Sequence, residues 1–339
     1  MRNVVSVAAL GLWLAVGGGA SAQDAIKKVG GETLRGTVKG MTRTEVTLDD
    51  KQVPVVQIES IRFDKEPPQL NAIRNQVANG GYDNALRSLE KIDAGKVERA
   101  EVKQEIEFYR ALANARLALG GGADVNEAGK QMLAFVRDHS DNFHVLVANE
   151  VLGDLLVAAR KFELATQYYA AMGEAPFPEY KMRAGVATGR ALVAQNKLTE
   201  AAAQFDLVLA LEAAGPVADA QRQAATLGKA TCLAEQGQAD EAIKLVEAII
   251  AALPAEDAEL HARAYVTLGN CYRKKPGATK QALLAFLHVD VLYFANPQAH
   301  AEALWNLAVL WNEVGKPERA VEATQLLRDR YANSQWAAR

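Results

Sequence analysis

The chain has 339 residues, of which 50% are apolar and 23% charged, with a formal net charge of −3. This is ordinary globular composition, and the mildly acidic balance excludes a global pull toward nucleic acid or anionic lipid. Aromatic residues are few, at 6%, and alanine, the best helix former, is abundant, so a helical body is expected.

The first residues, "MRNVVSVAALGLWLAVGGGASAQ", read as an export signal. Arg2 is the basic start, Val4 to Val16 an apolar run too short for a comfortable membrane span, and Ala20-Ser21-Ala22 a cleavage site of the A-x-A kind. The expected mature chain therefore begins at Gln23 and is exported to the periplasm or cell envelope of a bacterium. Removing Arg2 takes the net charge from −3 to −4.

Residues 23–66 form a second unit. "TLRGTVKGM", "TEVTL", "VPVVQI" and "SIRFD" are rich in Val, Ile and Thr, and Leu34/Val38, Val46/Leu48 and Ile61/Phe63 sit at even spacing. That is the period of half-buried strands and predicts four or five strands in a small barrel-like β unit. The pattern "G-E-T-L-x-G-x-V" leading to "I-x-x-I-x-F" resembles the small Sm-like barrels. So small a unit is marginal alone and is expected to lean on the first helices. The Pro67-Pro68 pair ends the sheet.

From Leu70 the period becomes helical, and a phrase recurs: "GGYDNALRSL" (80–89), "GQADEAIKLV" (237–246) and "GKPERAVEAT" (315–324). Glycine stands five residues before an alanine, with Arg160/Ala165 and Asn196/Ala201 as variants. Gly or Asn is favoured where a helix stops, and a small residue is needed where the next helix crosses it closely. A second small residue lies twelve before the alanine at Gly153, Gly189, Ala230 and Ala308, and is expected to face it across the hairpin. A larger residue follows the alanine by four at Tyr169, Phe205, Val246 and Phe286, to fill the space between hairpins.

These residues resemble the tetratricopeptide repeat. "EVLGDLLVAARKFELATQYY" (150–169) carries its L-G, an aromatic and the alanine, and "YVTLGNCY" (265–272) carries Y-x-x-L-G-x-x-Y. Ala85, Ala128, Ala165, Ala201, Ala242, Ala282 and Ala320 mark about seven repeats across residues 67–339, each longer than the family's usual 34 residues. The surplus is assigned to "GGGADVNE" (120–127), "EAAGPVAD" (212–219) and "KKPGA" (274–278). The resemblance implies a mainly α fold, a solenoid of antiparallel helix pairs with a concave binding face.

No catalytic constellation accompanies this pattern. The five histidines form no H-E-x-x-H and no zinc-type cluster with cysteine, and neither a G-x-S-x-G nor a P-loop is present. No cofactor, metal or small-molecule substrate is implied. His139 and His144 flank "SDNF" and are expected in solvent. Cys232 and Cys271 occupy equivalent places in neighbouring repeats, too far apart for a disulfide, and are expected as buried thiols.

In the family, first-helix residues line the concave face. Carried over by position, these are Glu150 and Asp154, then Arg183 and Arg190, then Arg263, Asn270, Arg273 and Lys274, then Trp305 and Asn312. The resemblance implies a non-catalytic scaffold that binds another protein or an extended peptide, with the arginines suited to carboxylates and Trp305 to an apolar side chain. The alternatives are an accessory subunit or a hydrolase with an unrecognised site, and nucleic-acid binding through Lys27, Lys28, Arg35, Lys39 and Arg43 of the β unit.

Overall fold

The computed structural model describes residues 23–339. The export-signal reading falls on residues 1–22 and lies outside the described residues. No described helix is long and apolar enough to cross a membrane.

Six strands open the described chain: β1 (Asp24–Lys28), β2 (Thr33–Gly36), β3 (Val38–Met41), β4 (Glu45–Leu48), β5 (Lys51–Pro54) and β6 (Ile58–Arg62). They form two three-stranded antiparallel sheets, ordered β2-β1-β6 and β3-β4-β5. The chain passes from one sheet to the other at Thr37, whose backbone is clasped by Asp49: Thr37 N donates to Asp49 Oδ1 at 2.9 Å, and Asp49 N to Thr37 O at 2.8 Å. The barrel expected from the strand count is not closed. A 3₁₀ turn at Val55–Gln57 separates β5 from β6, so the two lie in different sheets. The alternation reads correctly all the same, with Val38, Val46, Leu48, Ile61 and Phe63 buried.

The β unit has no core of its own. Ile26, Val46, Ile61 and Phe63 run into one cluster with Leu70, Ile73, Ala85 and Leu89 of the first helices. Two ionic clasps reinforce the junction. Asp24, whose side chain is 1% exposed, accepts two hydrogen bonds from Arg99, at 2.7 and 2.9 Å, and one each from Val38 N and Asp64 N, both at 2.7 Å. Burial pushes the Asp24 carboxyl up, but the bonds from Arg99, Asp64 and Val38 outweigh it and hold its pKa below the ordinary value. In the second clasp Arg74 bridges Glu66, at 2.6 Å, and the buried Glu105, at 2.9 Å.

Fourteen helices follow among the described residues, in seven hairpins. The first four are α1 (Gln69–Ala78) with α2 (Tyr82–Glu90), α3 (Ala100–Leu119) with α4 (Val125–Asp138), α5 (Val145–Ala158) with α6 (Phe162–Gly173), and α7 (Pro178–Ala194) with α8 (Leu198–Leu209). The last three are α9 (Pro216–Glu235) with α10 (Ala239–Ala252), α11 (Ala258–Lys274) with α12 (Thr279–Leu292), and α13 (Pro297–Glu313) with α14 (Pro317–Tyr331). Each marker alanine is the fourth residue of its second helix, and all seven are buried. Five hairpins turn through three residues, and the residue five before the alanine there is left-handed: Gly80, Arg160, Asn196, Gly237 and Gly315 have φ of 73°, 59°, 60°, 87° and 71°. The next amide closes each helix by reaching back five residues, for example Lys161 N to Leu156 O at 2.7 Å and Gln238 N to Leu233 O at 2.9 Å.

The nearest atoms to Gly153 and Gly189 are not those of the marker alanine. They belong to the rings of Tyr169 and Phe205, so the larger residue of each hairpin covers the small one. The surplus length is also divided differently. Pro216 and Val125 already belong to α9 and α4, and much of the extra chain lengthens the first helices, with α3 and α9 each 20 residues long. Cys232 and Cys271 are free and buried, and burial pushes their thiols up to about 11 and about 12. His144 corrects the solvent expectation. It is buried, its ring stacks on Phe108 at 3.7 Å between centroids, and its Nε2 lies 2.6 Å from Glu105 Oε1.

Candidate functional site

Neighbouring odd-numbered helices touch one another along the whole coil, from α1 on α3 to α11 on α13, whereas the even-numbered helices make no comparable contact among themselves. The odd layer is therefore the more closely spaced, and the coil curves with that layer inside. The curvature carries the chain round until its ends meet. Gly121 O accepts from Asn333 N at 2.9 Å, Ser334 lies against Gly121, and Pro297 lies against Gly120. The turn of the second hairpin thus rests on the seventh, and the inner faces of the odd helices surround a lumen.

The first-helix residues singled out by position sit as follows. Glu150 and Asp154 on α5 meet Arg183 and Arg190 on α7: Arg183 pairs with Glu150 and lies over the Tyr180 ring at 5.1 Å, and Arg190 Nη2 lies 3.6 Å from Asp154 Oδ1. On α11, Arg263 pairs with Glu259 at 2.8 Å, Asn270 donates to Glu302 of α13 at 2.8 Å, and Arg273 donates to Asn306. Arg273 also lies 5.4 Å from the Trp305 ring centre. Lys274 instead pairs with Glu235 at the end of α9, at 2.6 Å, and Asn312 spends its amide on its own helix, donating to Ala308 O at 3.1 Å. The residues therefore fall into an acid–arginine group on α5 and α7 and a second group around Trp305, while Arg263, Lys274 and Asn312 make their contacts elsewhere.

The lumen is nearer to balance than a list of its arginines suggests. Burial pushes the Glu150 carboxyl up, but the charge and hydrogen bond of Arg183, then Arg190 and Arg116, hold it below the ordinary value. Arg116, on α3, is an inner-face cation that position matching missed; the second repeat lacks the marker glycine, so its register gave no handle. Arg190 and Arg263 are the less committed cations of the predicted set. Their side chains are 43% and 38% exposed, the Arg190 pair is long, and the Glu259 partner of Arg263 is itself 67% exposed. Loss of water inside the lumen, then the charge of Arg190, lower the pKa of Arg263, with Arg116 adding to the effect. Two guanidiniums from different hairpins thus lie close enough on the concave side to feel each other's charge.

Of the β unit's cations, Lys27 pairs with Glu59 at 2.5 Å, Lys28 with Glu32 at 3.1 Å and Lys39 with Asp50 at 3.1 Å. Among the described residues no group of three or more His, Cys, Asp or Glu side chains could hold a metal ion.

No family model matches this sequence, and no curated protein matches it. The fold does match solved structures. A tetratricopeptide repeat protein from Parabacteroides merdae aligns at 17% identity over 77% of this chain and 91% of its own, with a TM-score of 0.51. A Rap protein complexed with competence and sporulation factor aligns at 17% identity over 79% of this chain and 76% of its own, with a TM-score of 0.53. The chain has the tetratricopeptide-repeat fold, an α-solenoid preceded by a small open β unit.

Proposed function

We propose that this chain is a non-catalytic scaffold of the bacterial periplasm or cell envelope, which holds an extended segment of a partner protein in its lumen. It comprises an export leader (1–22), a β unit (23–66) and a helical repeat unit (67–339). The observation that carries the reading is the pair Arg190 and Arg263, two partly exposed guanidiniums on separate hairpins of one closed coil, the first 3.6 Å from Asp154 and the second paired at 2.8 Å with a solvent-exposed Glu259. Acidic groups of the partner would replace Asp154 and Glu259 there by forked hydrogen bonds. That a Rap protein of the same fold was solved complexed with competence and sporulation factor supports a binding role for this chain.

The test is crosslinking in intact cells followed by mass spectrometry, on the parent and on Arg190→Glu and Arg263→Glu. Losing charge-assisted contacts predicts ~10- to 100-fold weaker capture of one and the same partner. Capture that is unchanged in both variants overturns the lumen assignment. Arg183 is the poorer choice for this test, because its pair with Glu150 is largely enclosed and its reversal would damage packing.

A further inference from the structure

The α13 wall of the lumen is already covered, and by the chain itself. After α14 the backbone turns at residues 332–334 and lays Trp336 against Trp305, with ring centres 5.4 Å apart. The Arg339 guanidinium lies 4.4 Å from the Trp336 ring centre and 5.1 Å from that of Trp305. Its charge also acts on the half-buried Glu302, the acceptor of Asn270.

The way this segment is held differs from the rest of the coil. The bond from Asn333 N to Gly121 O is the last backbone link to another element among the described residues. Beyond it the backbone bonds are local: Ser334 N to Tyr331 O at 2.9 Å, Ala337 N to Ser334 O at 3.2 Å, and Arg339 N to Trp336 O at 3.4 Å. Residues 335–339 are thus a short self-contained turn, anchored at one end by Ser334 against Gly121 and attached to α13 by side chains alone. Trp305 and Trp336 are both half-buried and Arg339 is exposed, so the contact is open to competition from solvent.

We propose that residues 335–339 are an internal stand-in for a partner, and that the α13 wall around Trp305 takes an extended segment bearing an aromatic ring and, three residues on, a cation. This rests on the lumen being the binding face. The chemistry is read from the occupant: an indole stacks on Trp305, and a guanidinium caps both rings near Glu302. A tethered segment competes at an effective concentration in the millimolar range, so an external segment of similar intrinsic affinity binds weakly until the internal one is removed.

The test uses the full chain with Trp336→Ala and Arg339→Ala together, and a fluorescein-labelled synthetic peptide of the sequence NSQWAAR. The double variant should bind the peptide at least ~10-fold more tightly than the parent does, as fluorescence anisotropy would show. Adding Trp305→Ala should abolish the gain, and the peptide NSQAAAA should not bind. Equal binding by parent and double variant, or no binding by a folded double variant up to ~1 mM peptide, overturns the proposal and leaves the segment a structural cap on the last hairpin. If the double variant fails to fold, Arg339→Ala alone, at an exposed position, should raise affinity at least ~3-fold by removing one of the two stacking groups, and unchanged affinity again overturns the proposal. The arms are separable from the scaffold test. Capture that depends on Arg190 can survive while the peptide result fails, and peptide binding at Trp305 can stand while capture does not.

Discussion

Phe205 sits between two glycines, and its ring makes a sharp prediction. A Cβ on Gly189 of α7 would lie 2.4 Å from Phe205 Cε1, and one on Gly228 of α9 would lie 2.2 Å from Phe205 Cζ. Carbon atoms in contact prefer about 3.5–4.0 Å, so each methyl asks the ring to retreat by more than about 1 Å. The ring is fully buried and enclosed from both sides, so it cannot retreat from one glycine without meeting the other. Overpacking of this kind costs about 1–3 kcal/mol, and the upper half of that range is expected here. The better helix propensity of alanine returns about 1 kcal/mol. Gly189→Ala and Gly228→Ala should therefore each destabilise by ~1–2 kcal/mol net. Gly129, in the middle of α4 with nothing within 4 Å of its Cβ position, is the control, and Gly129→Ala should stabilise by up to about 1 kcal/mol. Urea unfolding followed by circular dichroism reads all three. Phe205→Ala alone should cost about 3–5 kcal/mol, and in that background the two glycine substitutions should turn neutral or favourable, because their methyls enter the vacated space. If both glycine variants are as destabilising without the ring as with it, the account of the hairpin crossing fails.

Three further outcomes follow from the same structure. The Asp24 and Glu105 carboxyls have lowered pKa values in the folded chain, so the stability they bring is complete above the unfolded carboxylate values of about 4 and is lost only as pH falls through the folded ones. Hydrogen-exchange protection in residues 24–62, taken relative to intrinsic exchange at each pH, should hold from pH 8 to pH 5 and fall below about pH 4, and loss of protection already at pH 6 would refute the clasp. Arg160 holds a left-handed conformation that costs a side-chain-bearing residue about 1–2 kcal/mol, so Arg160→Gly should raise the denaturation midpoint by the equivalent of about 1 kcal/mol, and a lowered midpoint would show a contact of Arg160 to be the stronger term. At Gly121, φ is 81° and a Cβ would lie 2.7 Å from Ser334 Cβ, so Gly121→Val should part the second hairpin from the seventh and enlarge the radius of gyration in X-ray scattering; an unchanged radius would mean that the closure is not held there.

What was legible in the sequence was phase. The interval from a left-handed residue to a small one survives in the chain because both ends of it are local demands: a helix must stop, and the next must start close by. In the weakest repeat the interval is lost, with the left-handed residue at Gly121, seven before Ala128, yet Ala128 still falls on the fourth residue of α4. Partners across the lumen obey no such local rule. Arg183 finds Glu150 thirty-three residues away, and Arg190 finds Asp154 thirty-six away, because those separations bring adjacent odd helices side by side. The lumen cations other than Arg116 were readable, and their neutralisation was not. His144 failed for the same reason: its loop looked exposed, but Glu105 and Phe108, which bury it, come from the hairpin before. The β unit kept its alternation and lost its closure, since alternation fixes which side chains point inward and says nothing of which edges pair.

The closure of the coil changes what the lumen charges are worth. On an open concave face a pair such as Arg190 with Asp154 would be a surface salt bridge, screened and worth under about 1 kcal/mol. Inside a ring whose second and seventh hairpins touch, the same groups share a space partly deprived of water: desolvation first, then the charge of Arg190, lowers the pKa of Arg263, whereas for Arg190 desolvation is outweighed by the charge of Asp154 and smaller ones beside it, which raise it. On the proposed reading, a ligand carboxylate placed between Arg190 and Arg263 would compete with Asp154 and Glu259 for them. The contact between Gly121 and residues 333–334 therefore does two things at once. It confines the arginines, and it sets the anchor from which residues 335–339 reach Trp305. Opening that contact should weaken binding at the arginines and free the α13 wall together, a coupling that neither group of residues would show alone.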